Sequence, residues 1–162
     1  MLTEPVDSKG RRVVLGLGNM LYSDEGFGVH ALQDLRAHLT ECKSVEWVDG
    51  GVLGLDLLPL VESCSHLLVL DALDANQPPG TVIELDKNQI QLFSGMNLSE
   101  HQLGFQEVLA LAAFRGRLPE HLKLIGIQPA RLEVDTYLSP QGVNALPRVR
   151  TLAEQVILDW VA

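Results

Sequence analysis

Four carboxylates and one imidazole stand where this chain could do chemistry: Asp24 and Glu25, Asp49, Asp71 and His101. Asp24 and Glu25 lie in the stretch GLGNMLYSDEGFG, Gly16 to Gly28, directly after the apolar run Val13-Val14-Leu15. Asp49 closes the run SVEWVD ahead of Gly50-Gly51, and Asp71 closes HLLVLD. His101 follows Ser99, which with Gln102 makes a capping-box pattern at the start of a helix. Taken singly, each has an ordinary explanation. An aspartate after a strand caps a helix or closes a turn, and a glutamate in a first helical turn answers the macrodipole. Together they repel one another unless a cation or shared protons neutralise them. Two carboxylates and a histidine form an oxygen, oxygen, nitrogen set suited to a borderline divalent metal, with coordination positions left open.

The elements that must carry these residues alternate between short apolar runs and longer stretches of helical period, the pattern of an α/β domain. A strand is expected over 11–17, then a helix from near 25 to 40 with Val29, Leu32, Leu35 and Leu39 on one face. A second strand ends at Asp49 and is stopped by the two glycines. A short helix covers 55–63, where Pro59 disturbs it or marks a break. The strand ending at Asp71 is apolar throughout Leu67–Leu70, as a buried central strand should be. The Pro- and Gly-rich link before TVIELD is too short for a crossover helix, so that strand runs antiparallel or sits at an edge. A loop, the helix bearing His101, a strand over 122–127 and a C-terminal helix complete the chain. Ser139-Pro140 would open the last helix, unless Pro147 kinks it or delays its start to near Asn144. The expected fold is a three-layer α/β/α sandwich, its roughly five-stranded sheet mostly parallel with one antiparallel edge strand. In such a sheet the site lies beyond the carboxyl ends of the parallel strands. Those ends, with the start of the helix that leads into the last parallel strand, send up to four carboxylates and His101 to one rim.

A Gly-x-Gly turn after a strand also begins a dinucleotide site. Here Leu21 holds the place of the third glycine, and Asp24-Glu25 would oppose a pyrophosphate, although Asp49 sits where a ribose-binding acid would be. No Walker lysine, Gly-x-Ser-x-Gly elbow or His-Glu-x-x-His occurs. The 162 residues suit one domain, read as 11–162 behind a loose polar tail over 1–10. With 46% hydrophobic and 20% charged residues the chain is globular rather than disordered. A net charge of −9 disfavours nucleic acid and anionic membranes. The absence of an apolar leader or a membrane-length run makes the cytoplasm the expected location. Cys42 and Cys64, without a Cys-x-x-Cys, read as packing residues. His30, His38, His66 and His121 are assigned no chemistry.

The motifs together resemble the hydrogenase maturation proteases, endopeptidases that trim the large subunit of nickel–iron hydrogenases. The resemblance runs from about Val13 to the C-terminal helix. It rests on Gly16-x-Gly18-Asn19-x-Leu21-x-x-Asp24-Glu25-Gly26-x-Gly28, Asp49-Gly50-Gly51, Asp71-Ala72, Ser99-x-His101-Gln102-Leu103-Gly104, Gly126-Ile127-x-Pro129 and Leu138-Ser139-Pro140, in that order. It implies that Glu25, Asp71 and His101 bind a metal, namely the nickel already inserted in the precursor of the large subunit. The enzyme would sense that nickel and then remove a C-terminal peptide. For the catalytic base Asp49 and Asp24 both remain candidates, and Asn19, Asp49, Gly50 and Gly51 are candidate substrate-binding positions. A monomer is the simplest expectation for a protein that docks a larger subunit. A nucleotide-binding oxidoreductase and a non-catalytic chaperone of the nickel-loaded subunit are the competing readings.

Overall fold

The computed structural model describes the backbone of residues 11–92 and 100–162, and the side chains of 11–90 and 104–162. The strands are β1 (Arg12–Leu17), β2 (Glu46–Gly51), β3 (His66–Ala72), β4 (Val82–Asp86) and β5 (His121–Ile127). They form one sheet in the order β2-β1-β3-β5-β4. All neighbours are parallel except β4, which runs antiparallel to β5 at the edge, as the short Pro/Gly link requires. Every residue of β3 from Leu67 to Ala72 is buried at the sheet centre.

Period-two alternation divides the sheet residues between two cores. Val13, Leu15 and Leu17 face the layer of α2 (Leu58–Ser63) and α4 (Glu100–Phe114), packing with Val61, Val108 and Ala112. Val14, Leu68 and Leu70 face the layer of α1 (Phe27–His38) and α5 (Pro140–Val161), packing with Phe27, Leu35, Val149 and Ala153. Helix α1 begins later than expected, because a tight 3₁₀ turn over Ser23–Gly26 precedes it. It then crosses the sheet at unusually close range. A Cβ on Gly28 would lie 2.1 Å from the Leu70 carbonyl oxygen and 2.3 Å from that of Leu17. The close helix–strand packing that Leu21 does not provide is thus supplied further along, by Gly28.

Three further departures have local causes. Strand β2 does not stop before the glycines: it runs through them, with a one-residue register shift that pairs Gly16 with Asp49 but Leu17 with Gly51. A short helix, α3 (Lys87–Leu92), occupies part of the expected loop. Asp86 and Gln89 start it by reciprocal bonds of 2.9 Å, each side chain accepting from the other's backbone N–H. Helix α5 is one element through Pro147, opened by Ser139, whose Oγ accepts from Gly142 N–H at 3.0 Å. Its buried face is Gly142, Ala145, Val149, Ala153, Val156 and Ile157, and Val143 is 52% exposed. Pro59 does mark a break, between a 3₁₀ turn over Gly54–Leu57 and α2. The capping role expected of Ser99 lies outside the described residues.

Candidate active site

The carboxyl edge of the sheet carries Glu25 after β1, Asp49 in β2 and Asp71 in β3. Glu25 is half-buried in the 3₁₀ turn after β1, on a chain that Gly18 allows to fold back tightly. A Cβ on Gly18 would lie 2.0 Å from the Glu25 carbonyl oxygen, and its φ of +131° is one that glycine tolerates. Asp71 is buried at the end of the neighbouring β3, its Oδ1 accepting from Ala72 N–H at 2.8 Å. Gly126, opposite it on β5, leaves the backbones room, for a Cβ there would lie 2.1 Å from the Asp71 carbonyl oxygen. His101 stands in the first turn of α4, and its side chain lies outside the described residues. The start of α4 reaches the same edge: a Cβ on Gly104 would lie 3.6 Å from the Gly54 Cα, in the turn that follows β2. Among the described residues no three His, Cys, Asp or Glu side chains gather into a metal site.

Asp24 and Asp49, the two candidate bases, occupy opposite environments. Asp24 is fully buried. Its Oδ1 accepts from Ser139 N–H at 2.8 Å, and its Oδ2 accepts from Ser139 Oγ at 2.7 Å, Ala130 N–H at 2.8 Å and Arg131 N–H at 3.1 Å. Three of these four donors converge on Oδ2 and one on Oδ1. Asp24 therefore fastens the loop between β5 and α5 onto the turn after β1. Asp49 is exposed, with Oδ1 accepting from Gly51 N–H at 3.0 Å.

The other expected substrate-binding positions have clear structural duties. Gly50 is buried, and a Cβ there would lie 2.8 Å from both Leu15 Cδ1 and Leu17 Cδ2, so that face belongs to the core. Gly51 has φ +47° and accepts from Gly18 N–H at 2.9 Å, which joins the turns after β1 and β2. Asn19 folds its own turn, its Oδ1 accepting from Leu21 N–H at 3.0 Å.

Two residues without an assigned role also shape the edge. The buried Gln128 holds the loop after β3, its Oε1 accepting from Ala75 and Gln77 N–H at 2.7 and 3.2 Å. Its only sequence signal is its place at the end of β5. His30, on α1, hydrogen-bonds the Thr136 backbone, and burial pushes its pKa below the usual histidine value. Its Nε2 has no hydrogen-bond partner among the described residues.

A family model described as hydrogenase maturation protease matches residues 29–156. The chain belongs to that family. It is 46% identical over 154 residues to the hydrogenase expression/formation protein HupD of Thiocapsa roseopersicina, covering 93% of this chain and 67% of that one. It is 35% identical over 148 residues to the hydrogenase 2 maturation protease of Escherichia coli, covering 91% and 88%. The fold agrees. The solved structure of the hydrogenase maturating endopeptidase HybD from Escherichia coli superposes with a TM-score of 0.83 at 30% identity, covering 92% of this chain and 93% of that one. This hydrogenase maturation protease is thus an endopeptidase, and the oxidoreductase and chaperone readings give way to it. None of the described helices is long and apolar enough to cross a membrane.

Proposed function

We propose that the protein removes a C-terminal peptide from the precursor of a nickel–iron hydrogenase large subunit after nickel has been inserted. In this reading Glu25, Asp71 and His101 meet the nickel that the substrate carries. The observation that supports it is topological: neighbouring strands β1 and β3 deliver Glu25 and Asp71 to the edge where α4, with His101 in its first turn, also begins. Two carboxylates and an imidazole suit nickel, and ligation by three side chains leaves positions for groups that stay with the substrate. Affinity then depends on nickel being present, so the enzyme acts only on loaded precursor.

Nickel so held would polarise a carbonyl or acidify a water in its reach. We assign the base to Asp49, because Asp24 is consumed by the fold. The exposed Asp49 carboxylate takes a proton from the water that attacks the scissile carbonyl and returns it to the amide nitrogen as the C–N bond breaks, and its bond from Gly51 N–H fixes its orientation. The enzyme acts in this scheme as a cytoplasmic monomer on a larger partner.

The test is substitution at each proposed ligand. Glu25→Gln, Asp71→Asn and His101→Ala should each retain the wild-type circular dichroism spectrum and lose cleavage of loaded precursor. Normal cleavage by all three variants would remove the nickel-recognition scheme.

A further inference from the structure

The turn after β1 and the loop after β5 form a small ladder beside the active edge. Asp135 N–H donates to the Leu21 carbonyl at 2.9 Å, Ser23 N–H to the Asp135 carbonyl at 2.8 Å, and Asp24 N–H to the Arg131 carbonyl at 3.1 Å. Ser23 Oγ adds a bond of 2.8 Å to the Tyr137 carbonyl, and the Asp24 carboxylate holds both ends of the loop. Ser23 is fully buried and adopts φ +49°, a left-handed conformation that these bonds maintain. The ladder is a constrained structure rather than a loose loop.

Several of its outward side chains are apolar, beside the exposed Glu133 and Thr136. Leu21, Tyr22 and Leu132 are exposed, Val134 is 81% exposed and Tyr137 is 75% exposed. The charges among them are paired locally, Arg131 with Glu133 at 3.3 Å and with Asp135 at 3.0 Å. What the ladder offers a partner is therefore rigid apolar surface on a chain that otherwise carries net charge −9. Exposed apolar side chains that occur close together mark an interaction site more often than isolated ones do, and these five lie on the two segments that the ladder joins. The ladder runs without interruption into Glu25, so whatever covers it also touches the catalytic edge. A second copy of the chain seated there would obstruct that edge, whereas the substrate polypeptide must pass it.

We infer that this ladder is a docking surface for an apolar stretch of the precursor polypeptide adjoining the scissile bond, with Leu132, Val134 and Tyr137 setting affinity. The inference rests on the function proposed above. It assigns these side chains to binding and not to the chemical step, since none carries an acid, a base or a nucleophile suited to the hydrolysis.

The experiment compares the wild-type protein, the triple variant Leu132→Ser/Val134→Ser/Tyr137→Ser, the single variant Val134→Ser and a control, Phe114→Ser. Phe114 is 91% exposed at the far end of α4, away from the edge. Steady-state cleavage of nickel-loaded precursor and direct binding of that precursor to immobilised protein are both measured. The triple variant should raise KM about tenfold or more with kcat within about twofold, and weaken binding in parallel. The single variant should do the same to a smaller extent, and the control should match wild type. An unchanged KM and affinity, or a fall in kcat alone, would overturn the inference. If the triple variant unfolds, Val134→Ser decides it by the same criteria. If wild type binds precursor without cutting it, the proposed cleavage fails while the affinity ratio still judges the docking surface. If wild type does not bind precursor at all, both fall. A dimer in sedimentation that the triple variant abolishes, with precursor binding untouched, would give the surface to self-association and overturn the inference.

Discussion

The buried carboxylate of Asp24 holds Ser139 twice, accepting its backbone N–H at 2.8 Å and its hydroxyl at 2.7 Å. Ser139 in turn caps α5, so one aspartate links the turn after β1 to the start of the last helix. Asp24→Asn would direct an amide at donors that now find a carboxylate, and should lower unfolding free energy by about 2 to 3 kcal/mol. Urea denaturation checks this. A loss below about 0.5 kcal/mol, the usual range for an exposed position, would mean that the bond network does not hold the loop.

Glycine substitutions on two helices should have opposite effects. Gly28→Ala places a methyl group against two carbonyl oxygens across β1 and β3 and should cost about 3 kcal/mol or prevent folding. Gly104→Ala, in α4, meets nothing nearer than 3.6 Å and should stabilise by roughly 0.5 to 1 kcal/mol through helix propensity. Thermal unfolding of the two purified variants distinguishes these outcomes, and equal effects would contradict the helix placement.

Mild acid should destabilise the protein before its carboxylates titrate. Burial lowers the pKa of His30, opposed by its bond to the Thr136 backbone, and burial followed by the charges of His121 and Arg12 lowers that of His66. His66 also stacks on His121 with ring centroids 4.3 Å apart, so added charge there is doubly unfavourable. Below the ordinary histidine value of about 6.5 the unfolded chain binds protons first. The contribution to stability is therefore complete above that pH and is lost as pH falls through the lower folded values. Melting temperature measured from pH 7.5 to 5 should decline, and the double variant His30→Gln/His66→Gln should flatten that decline. An identical slope in the double variant would place the titrating groups elsewhere.

Asp49→Asn tests the assignment of the base. It keeps the acceptor for Gly51 N–H and removes the proton-accepting charge, so kcat should fall by about a hundredfold to ten-thousandfold with KM little altered. Single-turnover cleavage of loaded precursor measures it. A kcat within about threefold of wild type would exclude Asp49 as base.

Much of this architecture is legible in the sequence because it rests on local pattern. The unbroken apolar run Leu67–Leu70 identifies the central strand, and the short link before Thr81 dictates the antiparallel edge. Helix α3 reads as loop in the sequence, although Asp86 and Gln89 make there the reciprocal capping bonds that a serine-led box makes. The role of Asp24 is not legible either. Its partners Ala130, Arg131 and Ser139 lie 106 to 115 residues away, and a carboxylate consumed by the fold looks in sequence like one awaiting a substrate. Gly50 is hidden for a similar reason, because only the register shift against β1 turns its bare face toward Leu15 and Leu17.

We propose that this protease cuts only what carries nickel. The most direct measurement is the intact mass of a hydrogenase large-subunit precursor, nickel-loaded or nickel-free, after incubation with the protein. The loaded precursor should lose a C-terminal peptide and the unloaded one should keep its mass. Equal rates of cleavage for both forms would contradict the proposal.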